Sequence, residues 1–156
     1  MPAYNAIVNA LELNPSLILD LVDEIPASLR KERPIAGKWS IHEHIVHLAR
    51  VEVSIGQRLH HMLENPGQQI VPYHPEDDDP DGLINGDWEE ALNTYQWHRA
   101  DMVGTLSTLS RGAWEIAHVH PEFPVYSVRV LARHIALHDG LHGYRIEELR
   151  AAMRDQ

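Results

Sequence analysis

Four amphipathic segments, proline- and glycine-rich stretches between them, and the lack of any sustained two-residue alternation predict an all-α four-helix bundle with long connecting loops. With 156 residues and 44% hydrophobic content the chain is long enough to bury one core, so a single domain over residues 1–156 is expected.

The first segment repeats Ile7, Val8, Leu11, Ile18, Leu21, Val22 and Ile25 at helical spacing, interrupted at Asn14-Pro15. A proline ring removes one helical amide and crowds the preceding turn, so a kinked or split first helix is expected. Pro26, Pro34 and Gly37 punctuate the connection, and Ser40 with Glu43 forms an S-x-x-E capping box that opens a second helix. Its stripe of Ile41, Ile45, Leu48, Ile55, Leu59 and Met62 places Glu52 on the inward face, and Asn65-Pro66-Gly67 ends it. From Gln68 to Gly86 a long loop is expected, rich in Pro, Asp and Gly and containing the run Glu76-Asp77-Asp78-Asp79. Asp87 and Glu90 give a capping signal for a third helix, carried by Trp88, Leu92, Tyr95, Met102, Leu106 and Leu109 to about Ser110. Gly112, Pro121 and Pro124 mark the next connection. The last helix begins near Ser127 and carries Leu131, Ile135, Ile146 and Leu149 to a charged end at Arg150 and Arg154.

Thirteen Lys and Arg against 23 Asp and Glu leave a net charge of −10, which opposes phosphate binding and argues against a nucleic-acid partner. There is no cysteine, so disulfides, thiolate zinc sites and a cysteine nucleophile are excluded together. No uninterrupted run of 18 apolar residues occurs and the N-terminus carries no basic cluster. A cytoplasmic chain without a membrane partner is expected.

Twelve histidines are the outstanding feature of the composition, because histidine is the commonest metal ligand. At about 100° per residue, His138 and His142 fall within about 20° of the line through Leu131 and Leu149, where the core stripe should run. Two unpartnered imidazoles buried there would cost about 1–3 kcal/mol each, whereas a shared metal makes the i, i+4 spacing a chelate. Hydrogen-bonded core histidines are the competing explanation. His134, one turn earlier at the border of the stripe, reads as a supporting or packing residue. A catalytic zinc usually takes three protein ligands, and the second helix offers His44 and His47; periodicity alone prefers His44, which lies nearer the stripe. Glu52 and Arg145 also point inward near the histidines, as a base and an anion clamp or as an internal ion pair. Glu43 reads as a cap, Asp139 as support for the site, and His42, His60, His61, His74 and His98 as surface or amphipathic residues. His118-Val119-His120 has a chelating spacing on an extended segment but no obvious third ligand.

The stretch from Pro34 to Glu52, P-I-A-G-K-W-S-I-H-E-H-I-V-H-L-A-R-V-E, and the stretch from His134 to Ile146, H-I-A-L-H-D-G-L-H-G-Y-R-I, together resemble the DinB/YfiT-like family. The first matches a Pro-rich lead-in, K-W-S, an acidic residue, then H-L and a Glu five residues after the His; the second matches a terminal H-D-x-x-H, with R-I where the family's following Q-I stands. The resemblance implies a four-helix bundle holding a divalent metal on one histidine of the second helix and an i, i+4 pair of the last, which places the ligands at His47, His138 and His142. His44 and His134, beside them on the same helices, are then expected to support the ligands. Arg50 stands where the family frequently has Asp and Arg145 where it frequently has Gln, so the pocket's charge differs.

Members of that family include metal-dependent transferases and isomerases that act with low-molecular-weight thiols, and hydrolases. The resemblance therefore implies an enzyme whose divalent ion activates a thiol, in the manner of an S-transferase, on a small-molecule substrate. Metal-bound water in a hydrolase is the alternative within enzymes, and a stress-associated bundle that binds metal or ligand without turnover is the alternative outside them. A three-histidine site accepts zinc, nickel or iron. A homodimer is a further implication of the resemblance.

Overall fold

The computed structural model describes residues 2–72 and 82–154; His74 and the acidic run at 76 to 79 lie outside them, as does the side chain of Arg154. Helix α1 spans Pro2–Asp23 as one helix with Pro15 inside it, so of the expected kink or split the split does not occur. Pro15 has no amide to offer the carbonyl four residues earlier, that of Leu11, and Arg99 Nη1 donates to Leu11 O at 3.2 Å in its place.

Helix α2 spans Ile41–Glu64 and opens on the complete capping box: Glu43 N donates to Ser40 Oγ at 3.2 Å and Ser40 N to Glu43 Oε2 at 2.8 Å. Arg33 reinforces the box through both carboxylate oxygens of Glu43. Helix α3 spans Trp88–Thr108 behind an Asp87 cap that accepts from Glu90 N at 2.8 Å. A single turn, α4 at Arg111–Trp114, leads into β1 at Ala117–His118, which pairs antiparallel with β2 at Tyr126–Ser127. Gln69 adds a parallel bridge to Val119. Two-residue strands are too short to show an alternation, which is why the sequence carried no sign of them. Helix α5 spans Val128–Arg154.

Side-chain pairings fix the helix directions. Asn14 reaches Asp139 and Ile18 packs on Gly143, so α1 and α5 run parallel; His42 meets Trp88 and His60 meets Asp101, so α2 and α3 do as well. His47 faces His138 while His44 faces His142, which sets α2 antiparallel to α5. The parallel α2–α3 pair requires the long crossover from 65 to 87. Its end docks closely on α2: a Cβ on Gly86 would sit 2.7 Å from Val46 Cγ1, and Gly86 O bonds His42 Nε2 at 2.9 Å. His42 is therefore buried rather than a surface residue.

The apolar interior forms two clusters, one around Leu11, Ile55, Leu59, Met102 and Ile135, the other around Ile18, Ile41, Ile45, Tyr95 and Ile146. The boundary between them falls at one polar residue on each long helix: Asn14, Glu52, Arg99 and Asp139. No helix of the described residues is long and apolar enough to cross a membrane.

Candidate metal centre

The histidines sit where α2 and α5 cross beside that polar layer. His138 Nε2 lies 3.2 Å from His47 Nε2 and 3.1 Å from His142 Nε2, and the ligand atoms of all three rings fall within 4.8 Å of one another. Two nitrogens bound to one tetrahedral zinc at 2.0–2.1 Å stand about 3.3 Å apart, so the spacing already matches a shared ion. Burial, followed by the neighbouring rings, pushes His47 down to about 4 and His142 to about 2, and burial lowers His138 as well. All three rings are consequently neutral near pH 7, the form that offers a lone pair. His138 Nδ1 is buried without a partner, so hydrogen bonding between rings leaves this residue unsatisfied, against the expectation for ordinary core histidines. The donor set fits a divalent cation.

His44 stands behind the triad, not in it. Its Nδ1 lies 2.8 Å from His142 Nδ1, and burial holds it down to about 4. With His142 Nε2 committed to an ion, the His142 proton must sit on Nδ1 and be donated to His44, which orients the ligand ring. Helical phase could not separate His44 from His47 because Ile41 to Ala49 are all buried. Trp39, the tryptophan of the K-W-S motif, covers the site: its ring centroid is 5.0 Å from that of His47, 5.4 Å from His44 and 6.2 Å from His142.

The expected internal ion pair between Glu52 and Arg145 does not form. Glu52 is 1% exposed and both its oxygens are taken by Arg99, Nη2 at 2.5 Å and Nε at 3.1 Å. Arg99 also binds both oxygens of Asp139, so Asp139 belongs to this ion cluster instead of supporting a ligand directly. Burial raises the Glu52 carboxyl although Arg99 pulls it down. Arg145 does not reach Glu52; its Nη1 donates to Glu148 at 2.8 Å, and its charge is felt at His44. Arg99 was not singled out, yet its position in the stripe Tyr95, Arg99, Met102, Leu106 was a readable sign of a buried cation.

Beside the triad a cavity of about 220 Å³ opens, lined among the described residues by His47 and His138, by apolar Val51, Ile55 and Ile135, and by polar Arg58, His120, Glu122 and His134. His134 is exposed and bonds none of the ligands, but its ring stacks at 6.3 Å on His138 at the cavity edge. His60 and His61 are exposed and His98 half-buried.

No curated protein matches this sequence. A likeness in fold is found to YfiT from Bacillus subtilis, described as a probable metal-dependent hydrolase with an unusual four-helix bundle topology. The TM-score is 0.83 at 20% identity, over 96% of this chain and 86% of that one. The family model of the DinB superfamily matches residues 10–146, a span that holds all four long helices' polar layer and the three histidines, and the chain belongs to the DinB superfamily.

Proposed function

We propose that the chain is a metal-dependent enzyme that holds one divalent ion, zinc, nickel or iron, on His47, His138 and His142 and uses it on a small thiol. The observation that carries the reading is the convergence of three neutral imidazole nitrogens, two of whose rings, His47 and His138, line a cavity, with no acidic side chain in the ligand set. Bound there, a divalent ion supplies Lewis-acid charge that lowers the pKa of a thiol or a water molecule beside it. Trp39 shields one side of the rings, His44 orients His142, and the cavity walls receive the rest of the substrate. Two features favour a thiol. The chain has no cysteine of its own, and Glu52, the carboxylate best placed by sequence to serve as a base, is locked on Arg99. A hydrolytic reading is favoured by Glu122 and His134, which line the same cavity and are free of Arg99.

The test is to titrate a panel of cellular thiols into cobalt-substituted protein while following the visible spectrum. A thiol-dependent change of the ligand-field bands, with thiol conjugation of an electrophile, is expected. A silent spectrum together with turnover of an ester or amide panel replaces the transferase reading by the hydrolase; stoichiometric metal with neither response leaves a binding protein.

A further inference from the structure

The His118-Val119-His120 segment is not part of the triad. Extended chain alternates sides, so Val119 is 60% exposed while His118 and His120 both turn inward. The strip is held on both edges: Val119 bonds Gln68 O at 3.3 Å and Ile70 N at 2.8 Å, and His118 pairs with Tyr126. The result is that His120, 8% exposed, forms part of the cavity wall that faces His47 and His138.

Its Nδ1 accepts the Glu122 backbone N–H at 3.1 Å. A neutral imidazole carries one proton, so this acceptance puts the proton on Nε2. Nε2 has no partner among the described residues and is not one of the sealed buried atoms, and the residue it belongs to lines the cavity. The rings of Tyr126 and Phe123, at centroid distances of 4.5 and 4.9 Å, fix the plane. Burial, then the charge of Arg58, keeps His120 below its ordinary pKa and hence in this neutral donor form. On the same wall Arg58 is anchored by Nη2 on Val71 O at 2.9 Å, and Glu122 brings an offsetting charge, so the oriented neutral donor is His120.

We propose that His120 is a substrate-binding residue: its Nε2–H donates to an acyl oxygen, carbonyl or carboxylate, of a small substrate whose apolar body lies against Val51, Ile55 and Ile135. The position of that oxygen relative to the ion rests on the metal-enzyme reading; the donor itself does not.

Nitrogen-15 NMR of the histidine side chains, in the metal-free and the zinc-loaded full chain, reads the tautomer directly, and butyrate serves as the acyl ligand. The Nε2–H tautomer is expected in both forms, with a butyrate-dependent shift of the His120 Nε2 signal. His120→Phe is expected to weaken butyrate about tenfold, and His120→Gln, whose amide nitrogen reaches the Nε2 position, to restore most of the affinity, all at unchanged zinc content. An Nδ1–H tautomer, equal butyrate affinity in the three proteins, or no butyrate binding to the wild type overturns the proposal. If the wild type takes up no zinc, the metal-enzyme reading falls instead, and the same ranking of butyrate affinities in the metal-free chain still decides the role of His120.

Discussion

At the scale of single residues, the centre depends on rings kept neutral by burial. Replacing His47, His138 or His142 by Ala removes one of three donors and is expected to abolish stoichiometric zinc binding in calorimetric titration. His44→Ala leaves the donors but frees the His142 ring, so stoichiometry should persist with affinity lower by about 10–100-fold. Burial also makes the metal-free chain acid-sensitive. His44 and His47, held down to about 4, take up protons in the unfolded state first, so stability is complete above about pH 6.5 and falls as the pH drops toward 4. One ring shifted that far corresponds to a loss on the order of 3 kcal/mol. Urea midpoints of chelator-treated protein between pH 7.5 and 4.5 check this; a midpoint that does not move with pH contradicts it. The inward i, i+4 histidine pair on the last helix was legible in the sequence because two histidines interrupt a leucine stripe. The partner on α2 was not legible from periodicity, since burial on all sides of Ile41 to Ala49 erases the phase difference between His44 and His47; only the resemblance selected His47.

At the scale of elements, a proline inside α1 and an arginine inside α3 answer one another. Pro15 leaves Leu11 O without its helical donor, and Arg99 supplies one while pairing with Glu52 and Asp139. Arg99→Leu strands two buried carboxylates and a carbonyl, and a loss of about 3–5 kcal/mol is expected in denaturant unfolding. In a Pro15→Ala background the restored amide of residue 15 satisfies Leu11 O, so the same Arg99 substitution should cost about 1 kcal/mol less. Strict additivity of the two changes contradicts the exchange. The helix starts were legible because capping residues act locally, as the Ser40–Glu43 box shows. The continuity of α1 through Pro15 was not, because the group that rescues it lies 88 residues away in sequence.

At the scale of the whole molecule, polar residues from all four long helices form one layer between two apolar clusters, and the histidine triad lies beside it, with His47 and His138 lining a cavity. The bundle could be read from the sequence as four amphipathic stripes. The pairing of Glu52 with Arg99 in place of Arg145 could not, because it depends on the parallel course of α2 and α3 that the long crossover permits. The central claim is that His47, His138 and His142 hold one divalent ion. X-ray absorption of the zinc-loaded chain tests it most directly: one zinc per chain with three imidazole nitrogens at about 2.0–2.1 Å is predicted, and zinc binding should be lost in His138→Ala. Substoichiometric zinc, or a coordination shell that His138→Ala leaves unchanged, would contradict the account.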